Sequence, residues 1–229
     1  GASKECEMTI SLPGLYGLEV VMAGLIHVPF LGEIKIMTRS LLAVEIIEVN
    51  GQYWQAQQVC AIESYDSSRL SETRIPSQFV SAIPPQRIPV VLNGTEISWD
   101  PKPVYLGFDG QYPLPVELTD PRAIDSDQDG VPGVTVLLDI PLLGTVELYM
   151  IQSSDIAMIG TLDSEGGRGQ IKVQELAQET IGSSHIVFNR SNQLIPQPEQ
   201  STFWLKPLTG NDCQSVVQSF PPLALQWMR

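Results

Sequence analysis

The stretch Val28-Pro29-Phe30-Leu31-Gly32-Glu33-Ile34-Lys35-Ile36 returns 112 positions later as Ile140-Pro141-Leu142-Leu143-Gly144-Thr145-Val146-Glu147-Leu148. Pro, Leu and Gly coincide, and every apolar position stays apolar. Inside each copy the period is two. Ile34 and Ile36 alternate with Glu33 and Lys35, and Val146 and Leu148 alternate with Thr145 and Glu147. Side chains on a strand point to opposite faces in turn, so this is the pattern of strands with one face in a core and one in water.

Working outward at the same shift, Met22 meets Val134, Leu25 meets Leu137, Ile26 meets Leu138, Val44 meets Ile156 and Ile47 meets Ile159. Further on the register drifts, and Phe79 falls opposite Phe203. The chain 1–229 therefore reads as one β domain of two pseudo-repeats, 9–82 and 122–208. Two alternating β segments aligned by chance are the competing explanation. Strand-like runs recur at Leu42 to Ile47, Tyr53 to Ile62, Pro89 to Leu92, Thr135 to Leu138, Ile156 to Leu162, Gln170 to Val173, Ser184 to Phe188 and Thr202 to Leu205. Asn50-Gly51, Asn93-Gly94, Asp109-Gly110 and Glu165-Gly166-Gly167 supply turns, since these residues tolerate the positive φ of tight hairpins.

The expected fold is all-β: an antiparallel meander of eight to ten strands forming a barrel-like domain or two packed sheets, because closure hides strand edges. Eighteen prolines argue against much helix. They make 83–121 a Pro-rich, irregular connection between the repeats, whose Trp99, Tyr105, Phe108 and Tyr112 pack it across the strands. Gln174 to Thr180 reads as a short helix or as an extension of a strand.

Acids outnumber bases 26 to 13, a net charge of −13 that repels nucleic acid and anionic membranes. No apolar run reaches the roughly 20 residues of a membrane-spanning helix. Gly1 in place of a starting Met leaves room for a secretory leader ahead of this sequence. Cys6, Cys60 and Cys213 lack the CxxC spacing of a zinc or redox site. One disulfide with a leftover thiol and three buried thiols both fit, and spacing does not choose a pair.

Asp125-Ser126-Asp127-Gln128-Asp129-Gly130 sets three carboxylates at alternate positions before a glycine that can turn sharply. Calcium takes hard oxygen ligands at this spacing, which assigns Asp125, Asp127 and Asp129 as side-chain ligands and Val131 as a backbone carbonyl ligand. Position 12 of such a loop is Val136, which cannot ligate through its side chain, so Asp120 and Asp139 are the nearest further carboxylates. A solvated acidic turn is the alternative. The loop resembles the EF-hand-like calcium loops of thrombospondin type 3 repeats, although Gly133 stands where those carry an acid. Residues 129 to 136, Asp-Gly-Val-Pro-Gly-Val-Thr-Val, are similar to secreted proteins of Gram-negative, myxobacterium-like bacteria. That resemblance implies a periplasmic or extracellular location and structural calcium, and no catalytic residue.

For chemistry the sequence offers little. His27 and His185 lie outside any HExxH pattern, and no GxSxG, Walker loop or GxGxxG occurs. Gly166-Gly167-Arg168-Gly169 reads as a hairpin turn. Asp163 with Glu165, Glu63 with Asp66, and Glu96 with Asp100 are the acid pairs that could form a glycosidase-like dyad. The leading expectation is a non-enzymatic binding module of the cell envelope whose barrel interior takes an apolar or amphipathic ligand, a small molecule or lipid, with Met22, Met37, Met150 and Met158 as adaptable lining. A calcium-rigidified structural or adhesive surface protein with a solid core is the alternative, and a secreted hydrolase using an acid pair comes third.

Overall fold

The computed structural model describes residues 11–28, 32–68, 70–188, 194–210 and 212–223. Within them the alternating segments become long antiparallel strands. The first meander is β1 (Gly14–Val28), β2 (Gly32–Val49) and β3 (Gln52–Asp66). Its second turn is made by Asn50 and Gly51 at φ 54° and 77°, the left-handed region that Asn and Gly tolerate. Next come β4 (Glu72–Arg74), the short helix α1 (Ser77–Ala82), β5 (Gln86–Asn93), β6 (Glu96–Trp99) and β7 (Val104–Leu106). The second meander is β8 (Val134–Ile140), β9 (Gly144–Asp163) and β10 (Gly166–Ser183). The chain then adds β11 (Ile195–Pro196), β12 (Thr202–Pro207) and the helix α2 (Cys213–Ser219).

Hydrogen bonding closes eight of these strands into a ring in the order β1, β2, β3, β5, β6, β9, β10, β12 and back to β1. Each ring contact is antiparallel, so the lower half of the barrel has no free edge. Closure there is tight. Gly160 on β9 faces Gly169 on β10, and a Cβ on Gly160 would sit 2.2 Å from the Arg168 carbonyl oxygen. Only glycine permits that approach at the corner of a barrel. The lower half is solid, filled by Leu18, Val44, Ile46, Ile97, Ile171 and Leu205, all at most 1% exposed.

The long strands β1, β2, β3, β9 and β10 run on past this base. Above it β5 and β6 no longer join the two meanders, and β8 pairs with the first half of β9 while β4 borders β8. Helix α1 sets Phe79 against Val134, Val136 and Leu106 beside the gap between β3 and β8. The upper half thus has longer walls and no second layer inside.

Several expectations need correction. The connection 83–121 is not irregular, since it supplies β5 and β6 to the ring and β7 to the edge of β9. Pro89 is tolerated because it lies in the part of β5 that β6 does not reach. Of the two readings of Gln174 to Thr180 the strand extension is the one that forms, and bulges between Val173 and Glu175 and between Thr180 and Gly182 disturb its period-two pattern. Ser184 to Phe188 is not strand but leads into a 3-10 turn at Ile186–Phe188. Among the described residues twelve strands form, not eight to ten, and eight of them close the ring. Phe79 sits on a helix and Phe203 on a strand, so that pairing does not hold. Cys6 and the first repeat's Pro29, Phe30 and Leu31 lie outside the described residues. Among the described residues no helix is long and apolar enough to cross a membrane.

Candidate functional site

Above the solid base the barrel encloses a cavity of about 750 Å³. Alternation places its walls. Even positions of β2 from Ile34 to Leu42 face it, as do even positions of β9 from Leu148 to Met158. Val134, Val136 and Leu138 of β8 and Phe79 of α1 close another side. Met22, Met150 and Met158 line it as expected, but Met37, at an odd position of β2, faces the other way. Among the described lining residues only Asp66 and Lys102 carry charge.

On the far side of β8 lies the acidic loop. Asp125, Asp127 and Asp129 come together with one carboxylate oxygen of each within 4.8 Å of the others. The loop folds on itself: Asp125 accepts the N–H groups of Asp129 and Gly130 at 3.1 and 2.9 Å, and Asp129 accepts that of Val131 at 2.9 Å. Gln128, Gly130 and Gly133 take positive φ of 60°, 97° and 110° to make these turns. Thr135, the second residue of β8, ties the loop to the wall, donating its N–H to Asp127 Oδ2 at 2.7 Å and its hydroxyl to Asp129. Asp127 is 6% exposed, and its Oδ1 is buried with no partner in the protein. Burial, and then the charges of Asp129 and Asp125, push the Asp127 carboxyl above the ordinary carboxylate range, while the Thr135 N–H opposes them. Three hard oxygens with one buried lone pair unsatisfied form a donor set that could hold a metal ion.

Val131 lies in this loop. Asp120 and Asp139 do not join it. Asp120 is held by Arg122 at 2.6 Å, and Asp139 by Arg74, whose hydrogen bonds, with one from Thr145, draw its carboxyl down to about 2. The acid pairs fare no better as catalytic dyads. Asp66 lines the cavity, but Glu63 is three positions away on the opposite face of β3. Asp163, Glu165, Glu96 and Asp100 are all exposed. His27 is exposed, and the His185 ring stands edge-on to Phe188.

Two features escaped the sequence. Cys60 and Cys213 form a disulfide, with Cα atoms 5.1 Å apart. Cys60 is the extra residue where β2 and β3 slip register at Leu41 and Leu42, a bulge that re-aims its side chain toward α2. Nearby on the outer face of β2, Arg39 is 2% exposed and joins Glu19 at 2.7 Å, Glu63 at 3.2 Å and the Pro221 carbonyl at 2.7 Å. Asp212 capping Ser215, with Val216 and Phe220 four apart, is the signal that marks α2 in the sequence.

The chain matches no family model, no curated protein and no solved structure.

Proposed function

We propose that this protein is a binding module that carries an apolar or amphipathic small molecule or lipid inside its barrel. The observation that carries this is the cavity: about 750 Å³ with mostly apolar walls, directly above a base of the same barrel that is filled. Ordinary cores leave few voids larger than a water molecule, so an opening of this size is a property of the fold and not a packing defect. At about 30 Å³ for each water of the liquid it has room for about 25 waters, or for a small organic guest. Pockets for small ligands share this size and apolar lining. A hollow interior favours the carrier over the solid-core structural protein, and among the described residues no acid pair faces the cavity to support the hydrolase.

The metal group is assigned to calcium, with Asp125, Asp127 and Asp129 as side-chain ligands and Val131 supplying a backbone carbonyl. Calcium accepts flexible all-oxygen shells completed by water, which suits a loop with no carboxylate at its twelfth position. Its role is to staple the entry into β8. The Cys60–Cys213 disulfide and the loop together point to an oxidising, calcium-rich compartment, the periplasm or cell exterior.

Titration with the apolar fluorophore N-phenyl-1-naphthylamine tests the carrier. Saturable enhancement is expected, and it should weaken in Ser154→Trp, which narrows the cavity, while the thermal midpoint holds. No saturable enhancement with the unaltered protein overturns the reading.

A further inference from the structure

We infer that the cavity selects a neutral amphiphile, a molecule with apolar segments on both sides of an uncharged hydrogen-bonding group such as an ester, amide or hydroxyl. This rests on the carrier reading and adds the chemistry of the guest.

The inward faces of the two central strands carry the same vertical order. On β2 it runs Ile34 and Ile36, then Thr38 and Ser40, then Leu42. On β9 it runs Leu148 and Met150, then Gln152 and Ser154, then Ile156 and Met158. Apolar, polar, apolar is repeated on opposite meanders, with the polar step within two inward positions of the floor residues Leu42 and Met158. Neighbouring strands widen it into a belt. Thr38 stands directly across from Ser64 on β3, and Gln152 directly across from Gln178 on β10. All of these side chains line the cavity.

On β2 and β9 period-two alternation alone would have put apolar residues at these positions, as it does above and below, while on β3 and β10 Asp66 and Thr180 continue the polar step upward. The belt is not there to satisfy the protein, because no hydrogen bond joins the side chains of Thr38, Ser40, Ser64, Gln152, Ser154 or Gln178 to another part of the described structure. Hydroxyls and amides offer both donors and acceptors, so they match a carbonyl or hydroxyl on a guest. A guest that is hydrocarbon throughout would leave them dry and unpaired.

The absence of charge on the belt sets the second half of the specificity. A buried carboxylate or phosphate needs a cation beside it. Among the described lining residues the one cation, Lys102, is exposed and its backbone N–H binds Gln86 outside the belt. The one lining anion, Asp66, is opposite Ile36, a step above the belt, and accepts hydrogen bonds from Ser68. Among the described lining residues, anionic amphiphiles therefore meet no cation beside the belt, and the one carboxylate, Asp66, stands a step above it.

Displacement of N-phenyl-1-naphthylamine by octyl octanoate, hexadecane, hexadecanoate and hexadecylamine tests this. The ester is expected to displace the probe at least tenfold more tightly than the other three. In Thr38→Val and Gln152→Leu, folded by thermal midpoint, its affinity should fall about tenfold while hexadecane is unchanged or tighter. Ser40→Ala is the milder variant should either fail to fold, with the same direction expected. Hexadecane, hexadecanoate or hexadecylamine binding as well as the ester, or belt variants weakening all four alike, would overturn the assignment while leaving the carrier intact. A failure of the probe itself to bind overturns the carrier and the assignment together.

Discussion

Asp127 is where the acidic loop and the barrel wall meet, and its behaviour separates a metal site from an acidic turn. A buried carboxylate with an orphaned oxygen destabilises the metal-free protein, and a cation removes that cost. Asp127→Asn should therefore match or raise the metal-free thermal midpoint, since the amide oxygen still accepts the Thr135 N–H, yet abolish the gain from calcium. For the unaltered protein, calcium at a hundredfold its Kd adds about 2.7 kcal/mol, a rise of about 5 to 10 °C in midpoint. No response to calcium or to a chelator contradicts the staple. Arg39 gives a second test at this scale: Arg39→Met leaves Glu19 and Glu63 without their cation and should cost about 3 kcal/mol in denaturant unfolding, the low end for a buried pair because Glu63 is 37% exposed. Alkali supplies a third. Burial first, with Glu63 and Glu147 accepting their hydroxyls, pushes Tyr65 and Tyr149 up to about 12. Raised folded values favour the neutral phenol, so this stability is full below about pH 10 and lost as pH climbs through 12. Absorbance titration should show at least two of the six tyrosines ionising late, and all six titrating near 10 would contradict it. The aspartate spacing was legible because ligand geometry is local. The Arg39 cluster was not, because it exists only once β1, β2 and β3 are in register.

At the scale of elements, period-two alternation announced the long strands, and it failed where bulges interrupt it. Gln174 to Thr180 has the composition of a helix, yet pairing along β9 overrides that propensity. The disulfide depended on one such bulge, so Cys60 could not be matched to Cys213 from spacing across 153 residues. Closing so long a loop and holding α2 over Leu41, this bond should contribute about 2 to 5 kcal/mol. Reduction, or Cys60→Ser with Cys213→Ser, should lower the thermal midpoint and expose Trp204, which lies under Phe220, to solvent quenchers. An unchanged midpoint and unchanged quenching would show that α2 is held by packing alone.

For the whole molecule, the sequence indicated an all-β barrel through two similar meanders, and the structure has both meanders in the same order, with Gly32 and Gly144 each at positive φ, 82° and 88°. We propose that this correspondence reflects an internal duplication. It also explains why the interior is hollow. The ring closes only around the base, where β5, β6 and β12 bridge the meanders, and the longer upper strands are walled by elements too short to fill the space between them. Nothing local in the sequence states that the same alternating apolar residues pack solidly below and line a cavity above, because that depends on how many strands meet at each level. That the upper barrel carries a guest is tested by native mass spectrometry of freshly purified protein with calcium present, compared with its denatured mass. The expected result is a small-molecule mass beyond calcium that is lost on denaturation, or acquired on incubation with excess octyl octanoate. Protein that neither carries nor acquires such a mass contradicts it.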